Sequence, residues 1–129
     1  KDINILVNCS NDILINQNPM MMHQALSNLL NNSIKYSEDK GKIYIIVDEN
    51  ENYTTIEVKD EGIGINQKHF DRLFERFYRV DESRSRDIGG TGLGLAIVKH
   101  IILLHNGTID VQSKEGVGTT FLMKINKKI

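Results

Sequence analysis

Four glycines crowd the stretch Gly89-Gly90-Thr91-Gly92-Leu93-Gly94-Leu95, which opens an almost wholly apolar segment running to His105. Without a Cβ, glycine lets backbone amides come close to a ligand, and the first turn of a following helix adds unpaired N–H groups at the positive end of its dipole. That combination suits a phosphate. The P-loop is excluded, since Leu95 and Ala96 stand where its lysine and hydroxyl residue would be. A dinucleotide-binding turn is excluded too, because residues 81–87, polar and charged with both signs, precede the glycines where a buried strand is needed. Taken alone, the loop also fits a glycine-rich turn that merely starts a buried helix.

A second set of residues suits the other end of a phosphate site. Asparagine costs about 0.5 kcal/mol against alanine inside a helix, so Asn28, Asn31 and Asn32 in one helical segment need a reason. Asn28, Asn32 and Lys35 fall at i, i+4 and i+7 and converge on one strip of surface. An amide oxygen is a neutral, hard ligand suited to Mg²⁺, which takes its charge partners from phosphates, and a lysine offers those phosphates a point charge. Asn32 is accordingly assigned to Mg²⁺; a solvated helix face is the competing account. In Asp60-Glu61-Gly62-Ile63-Gly64-Ile65, a carboxylate at a strand end meets two glycines that let a flat ligand lie on the backbone. An acceptor-only carboxylate favours adenine, whose exocyclic amine donates, over guanine, which carries a carbonyl there. An Asx-type turn explains the same six residues without a ligand.

The elements that must position these groups are legible from periodicity. Residues 3–8 and 13–16 alternate apolar and polar side chains as two short strands. Asn18-Pro19 starts a helix from Met20 to about Tyr36, with Met22, Ala25, Leu26, Leu29, Leu30 and Ser33 on one face and Gln24, Asn28, Asn31, Asn32 and Lys35 on the other. Residues 43–48 and 53–59 read as a hairpin with Asp60 at its exit, followed by a helical stretch over 67–74 and a charged flap. The apolar helix ends at Asn106-Gly107 as a C-cap, and a last hairpin pairs 108–113 with 119–125. The result is an α/β architecture, a mixed sheet covered on one face by helices.

Composition narrows the function classes. At 129 residues the chain is long enough for one domain without metal or disulfide staples, and we expect a single domain over 1–129. A net charge of −1 supplies no general footprint for nucleic acid or anionic membrane. Cys9 is the only cysteine, which excludes an internal disulfide, points to a reducing compartment and reads as a small core residue. No apolar run reaches the ~20 residues a membrane span needs, which predicts a soluble piece.

In order, then, the chain presents an asparagine-bearing helix, a DxGxGI turn, the aromatic-basic run Phe70-Asp71-Arg72-Leu73-Phe74-Glu75-Arg76-Phe77-Tyr78-Arg79, and the GGTGLGL loop. It resembles the ATP-binding catalytic domain of bacterial two-component sensor histidine kinases over essentially its whole length. Residues 28–37 look like that family's N box, 60–65 its G1 box, 74–78 its F box and 90–95 its G2 box. The resemblance implies a Bergerat-type, GHKL-class two-layer sandwich with ATP between the N-box helix and a flexible lid. It implies that Asn28 and Asn32 flank Mg²⁺ and the phosphates, that Lys35 and Tyr36 line the site, and that Asp60, Gly62, Gly64 and Ile65 form the adenine end. Gly90, Thr91, Gly92, Leu93 and Gly94 would contact the triphosphate, Phe77, Arg79 and Arg84 would reach ATP from the lid side, and Thr120 would support adenine. The catalytic set implied is Asn28, Lys35, Arg79 and Arg84. Ser33 and Met21 depart from the family pattern, which commonly has alanine and arginine there.

Such kinases transfer the γ-phosphoryl group to a histidine on a separate dimerisation helix, within a motif of the type His-Glu/Asp-x-x-x-Pro that is absent here. His23, His69, His100 and His105 read as surface or helix-packing residues. The implied partners are the kinase's own dimerisation and histidine phosphotransfer domain and, through the intact kinase, a response regulator. The fragment would be monomeric and free of membrane contact, the cytoplasmic portion of a membrane-anchored, dimeric kinase. Water-activating ATPases of this fold carry a glutamate where Asn28 stands, and an amide cannot act as a general base. Two alternatives are a serine kinase of the anti-sigma type and a module that binds ATP or a partner without catalysis.

Overall fold

The computed structural model describes residues 3–9, 19–37, 40–78 and 93–126. Its elements run β1 (Asn4–Cys9), α1 (Pro19–Tyr36), β2 (Lys42–Glu49), β3 (Tyr53–Asp60), a 3-10 helix (Gln67–Arg72), α2 (Gly94–Leu104), β4 (Gly107–Lys114) and β5 (Gly118–Asn126). The five strands form one mixed sheet in the order β1-β2-β3-β5-β4. β1 lies parallel to β2, and the remaining pairs are antiparallel.

Side-chain alternation decides which face of the sheet is covered. Along β3, Thr54, Ile56, Val58 and Asp60 are buried, and along β5 so are Thr119, Phe121, Met123 and Ile125. Directly paired residues of an antiparallel ladder share a face, so the register Val58↔Phe121 and Ile56↔Met123 puts these side chains in one layer. α1 lays Met22, Ala25, Leu29 and Ser33 against that layer, and α2 adds Val98, Ile101 and Ile102. Each large apolar side chain so enclosed contributes about 1.5–3 kcal/mol. Lys59, Thr120 and Lys124 occupy the alternate positions on the face the helices do not cover, where Lys124 Nζ lies 4.0 Å from the centroid of the Tyr53 ring.

Three local expectations are corrected. Cys9 is exposed rather than in the core, because β1 is the outermost strand and all six of its residues are exposed. The stretch expected to be helical over 67–74 is a 3-10 helix that stops at Arg72, held by i→i+3 bonds such as His69 N–H to the Asn66 carbonyl at 3.0 Å. α2 ends at Leu104, two residues before the expected cap. Asn106 takes the left-handed turn at φ 56, which a short polar side chain tolerates, while Gly107 already belongs to β4. The expected strand over 13–16 lies outside the described residues.

The loop after β3 is fastened to both neighbouring layers. Ile63 N–H donates to the Tyr36 carbonyl at 3.1 Å, and Gly116 N–H donates to the Ile63 carbonyl at 2.8 Å. Gly64, at φ +76, lies so close to the β4–β5 turn that a Cβ would sit 2.1 Å from the Lys114 carbonyl oxygen. Gly64→Ala therefore adds a steric clash to an unfavourable backbone angle, and the expected loss is about 3 kcal/mol. Urea unfolding of the variant beside wild type measures it; an unchanged midpoint would refute the contact.

Candidate functional site

Asp60 is the last residue of β3 and only 3 % exposed. Its Oδ1 accepts the Gly62 N–H at 2.9 Å and the Thr119 N–H at 3.3 Å. Burial pushes the carboxyl pKa above its ordinary 3.8, and those two amides, with the Ser33 hydroxyl nearby, pull the other way. Both amide bonds converge on Oδ1, which fixes the orientation of the carboxylate. The glycines here have reasons inside the fold as well. A Cβ on Gly62 would lie 2.3 Å from the Tyr36 carbonyl oxygen, so α1 itself presses on this turn.

The threonine beside Asp60 is Thr119, not Thr120. Thr119 pairs with Asp60 across the β3–β5 ladder and faces the core, whereas Thr120 pairs with Lys59 and Gln112 on the opposite face. The parity of Phe121, Met123 and Ile125 could have revealed this, since Thr119 shares it and Thr120 does not. Ser113 escaped sequence reasoning altogether. Its hydroxyl accepts the Ile65 N–H at 2.7 Å, donates to the Gly118 carbonyl at 2.9 Å and meets Thr119 Oγ1 at 2.7 Å. Only the hairpin register brings it there.

On the helix side, Asn28, Asn32 and Lys35 are each half-buried, on the edge of α1 between core and solvent. Asn28 Nδ2 donates to the Gly94 carbonyl at 3.4 Å, joining the asparagine strip to the start of α2 across 66 residues of sequence. A Cβ on Gly94 would meet nothing within 4 Å, so this glycine, unlike Gly62 and Gly64, is not demanded by the protein's own packing. Leu93 is the N-terminal cap residue of α2. Lys35 Nζ lies 5.5 Å from the centroid of the Tyr36 ring. Phe77 is 68 % exposed at φ 64, and Tyr78 after it turns back to the 3-10 helix, hydrogen-bonded to His69 Nδ1 with the Arg72 guanidinium 4.7 Å from its ring centroid. Arg79, Arg84, Gly90, Thr91 and Gly92 lie outside the described residues.

Among the described residues no cluster of three His, Cys, Asp or Glu side chains could hold a metal. The donors on α1 are neutral amides, which fit a hard divalent ion only when a polyanionic ligand supplies the charge. A separate groove of about 470 Å³ lies between Phe70, Phe74, Lys99 and Val111, and Asp60 does not line it. No described helix is long and apolar enough to cross a membrane.

Residues 17–129 match the family described as histidine kinase-, DNA gyrase B-, and HSP90-like ATPase. The chain is 48 % identical over 100 residues to the phosphate regulon sensor protein PhoR of Pseudomonas aeruginosa, covering 78 % of this chain and 23 % of that protein. It is 47 % identical over 106 residues to the sensor protein SrrB of Staphylococcus aureus, covering 82 % and 18 %. Among solved structures, the nucleotide-free catalytic domain of histidine kinase ThkA superposes with a TM-score of 0.82 at 28 % identity, covering 97 % of this chain and 80 % of that one. The chain thus spans less than a quarter of the length of either sensor protein.

The state of Asp60 sets a pH signature. A carboxyl whose pKa is raised by folding binds its proton more tightly in the fold, so stability falls as pH rises from 3.8 through the raised value. Asp60→Asn keeps the acceptor for both amides without the buried charge. The variant is expected to melt no lower than wild type at pH 7, with the difference closing as pH drops toward 3.8. Thermal unfolding across pH measures this; a variant less stable by the same margin at every pH would contradict it.

Proposed function

The chain belongs to the histidine kinase-, DNA gyrase B-, and HSP90-like ATPase family, and from that membership we propose that it is the nucleotide-binding catalytic part of a two-component sensor histidine kinase. In this reading it binds Mg-ATP and presents the γ-phosphate to a histidine on the kinase's dimerisation domain, from which a response regulator is charged. The observation that carries the proposal is the buried Asp60 carboxylate at the end of β3, with one oxygen fixed by two backbone amides, an acceptor suited to an exocyclic amine. The tie between Asn28 and the start of α2 supports it by bringing the polar strip of α1 to the end of the glycine loop.

Roles for individual side chains follow from charge and reach. Asp60 selects the base, and the buried Ile65 side chain would help form an apolar wall. Asn32, with Asn28 beside it, would hold Mg²⁺, which neutralises phosphate charge when bound. Lys35 adds a cation on the same strip, and Arg79 and Arg84 supply further positive charge to the phosphates. Asn28 cannot activate water, so transfer to a protein acceptor is favoured over hydrolysis. The histidine acceptor and the regulator would be supplied by other domains and proteins, and the full kinase would be a membrane-anchored dimer with this part in the cytoplasm.

Calorimetric titration with ADP and a nonhydrolysable ATP analogue, with and without Mg²⁺, tests the proposal on wild type and Asp60→Asn. Binding should be strengthened by Mg²⁺ for the triphosphate, resist competition by GTP, and fall roughly 10- to 100-fold in Asp60→Asn, as expected for loss of a hydrogen bond to a charged group. Adding the histidine-bearing domain in trans with ATP should then yield phosphohistidine. A folded wild type that binds no adenine nucleotide would defeat the reading; binding without transfer would leave a nucleotide-binding module.

A further inference from the structure

Asp60, Thr119 and Ser113 stand side by side in one row across β3, β5 and β4, through the pairings Asp60↔Thr119 and Ser113↔Thr119. Directly paired residues share a face, so all three side chains belong to the layer that the helices cover. The row is a polar end to an otherwise apolar surface. β3 reaches Asp60 through Ile56 and Val58, and β5 runs on from Thr119 into Phe121, Met123 and Ile125.

The two amides that hold Asp60 belong to separate segments, Gly62 to the turn after β3 and Thr119 to β5. The Ser113 hydroxyl joins those same two segments from a third. It accepts the Ile65 N–H of the turn at 2.7 Å and donates to the Gly118 carbonyl of β5 at 2.9 Å. A hydroxyl has one hydrogen, so in the 2.7 Å contact with Thr119 Oγ1 the threonine is the donor. One donor and two acceptor sites are the whole capacity of a serine hydroxyl, and all three are used inside the fold. Ser113 therefore has nothing left to offer a ligand. Two other ties between the turn and the hairpin, Gly116 N–H to the Ile63 carbonyl and Asn66 to Glu115, run through exposed residues at the hairpin tip. Ser113 makes the tie that reaches the row of Asp60.

We propose that Ser113 is a positioning residue of the nucleotide site: as a brace between the turn after β3 and the start of β5, it holds the two backbone donors of Asp60 at the spacing that orients the carboxylate. The assignment rests on the nucleotide reading above and deepens it. Ser113 acts through Asp60 and touches no ligand. Removing its hydroxyl frees the Ile65 amide and lets the turn carrying Gly62 shift against β5, which misaligns the carboxylate. A site whose supporting contacts are loosened keeps its groups and loses their geometry.

The test separates this role from plain support of the fold. ADP and purine riboside 5′-diphosphate, which is ADP with the 6-amino group replaced by hydrogen, are titrated calorimetrically into wild type and Ser113→Ala of this chain. Wild type should prefer ADP, because only ADP offers the amine to Asp60. Ser113→Ala should bind ADP weaker by about 3- to 10-fold, the range of one neutral hydrogen bond, and bind the analogue as wild type does. Ser113→Cys keeps the volume with a weak donor and acceptor, and should lose the same preference, which keeps the test decisive if the alanine variant does not fold. Equal weakening of both ligands, or an undiminished preference for ADP, overturns the assignment while leaving the nucleotide reading intact. Failure of wild type to bind ADP at all would overturn both.

Discussion

A carboxylate held out of water at the end of a strand is the constraint around which this structure is arranged. Desolvation opposes the charge of Asp60, and two backbone N–H groups offset part of that cost. Those amides come from different places in the chain, Gly62 in the turn after β3 and Thr119 at the start of β5. Their convergence fixes the β3–β5 register and brings the chain so close at Gly118 that a Cβ there would lie 2.1 Å from the Asp60 carbonyl oxygen. The geometry that makes burial tolerable also fixes the orientation of the carboxylate.

The site borrows its rigidity from the core. On the covered face of β3, Thr54, Ile56, Val58 and Asp60 follow one another at strand spacing, so Asp60 continues the row that packs against the helices. α1 has a similar double character. Met22, Ala25 and Leu29 enter the core, Asn28, Asn32 and Lys35 line the edge, and Ser33 carries a hydroxyl inward where the core turns polar. The Asn28 bond to the Gly94 carbonyl then couples this helix to the first turn of α2. Displacing either helix would move site and core together, which is why a glycine such as Gly62, pressed against the Tyr36 carbonyl, belongs to both.

Much of the fold was legible because local chemistry and tertiary need agree. The apolar stripe of α1, the β-branched runs of β2 and β3 and the glycine turn between β4 and β5 each specify one element, and each element is found. Disagreements arise where neighbours decide. A lone small cysteine reads as a core residue, but Cys9 stands on an outermost strand whose residues are all exposed. Asn106 and Gly107 both suit a helix end; the close approach of the Lys124 carbonyl, 2.4 Å from a would-be Gly107 Cβ, assigns the glycine to the strand and the left-handed turn to the asparagine.

In the site, the sequence alone determined the chemical types and their order: an asparagine strip, a carboxylate before paired glycines, and a glycine loop opening an apolar helix. Those follow from spacing along one element, which periodicity preserves. The choice of Thr119 over Thr120 and the hydroxyl contacts made by Ser113 were decided by tertiary structure. A hydrogen bond has one donor and a narrow geometry, and which hydroxyl meets which partner depends on where every other strand and helix in the sandwich has placed its own.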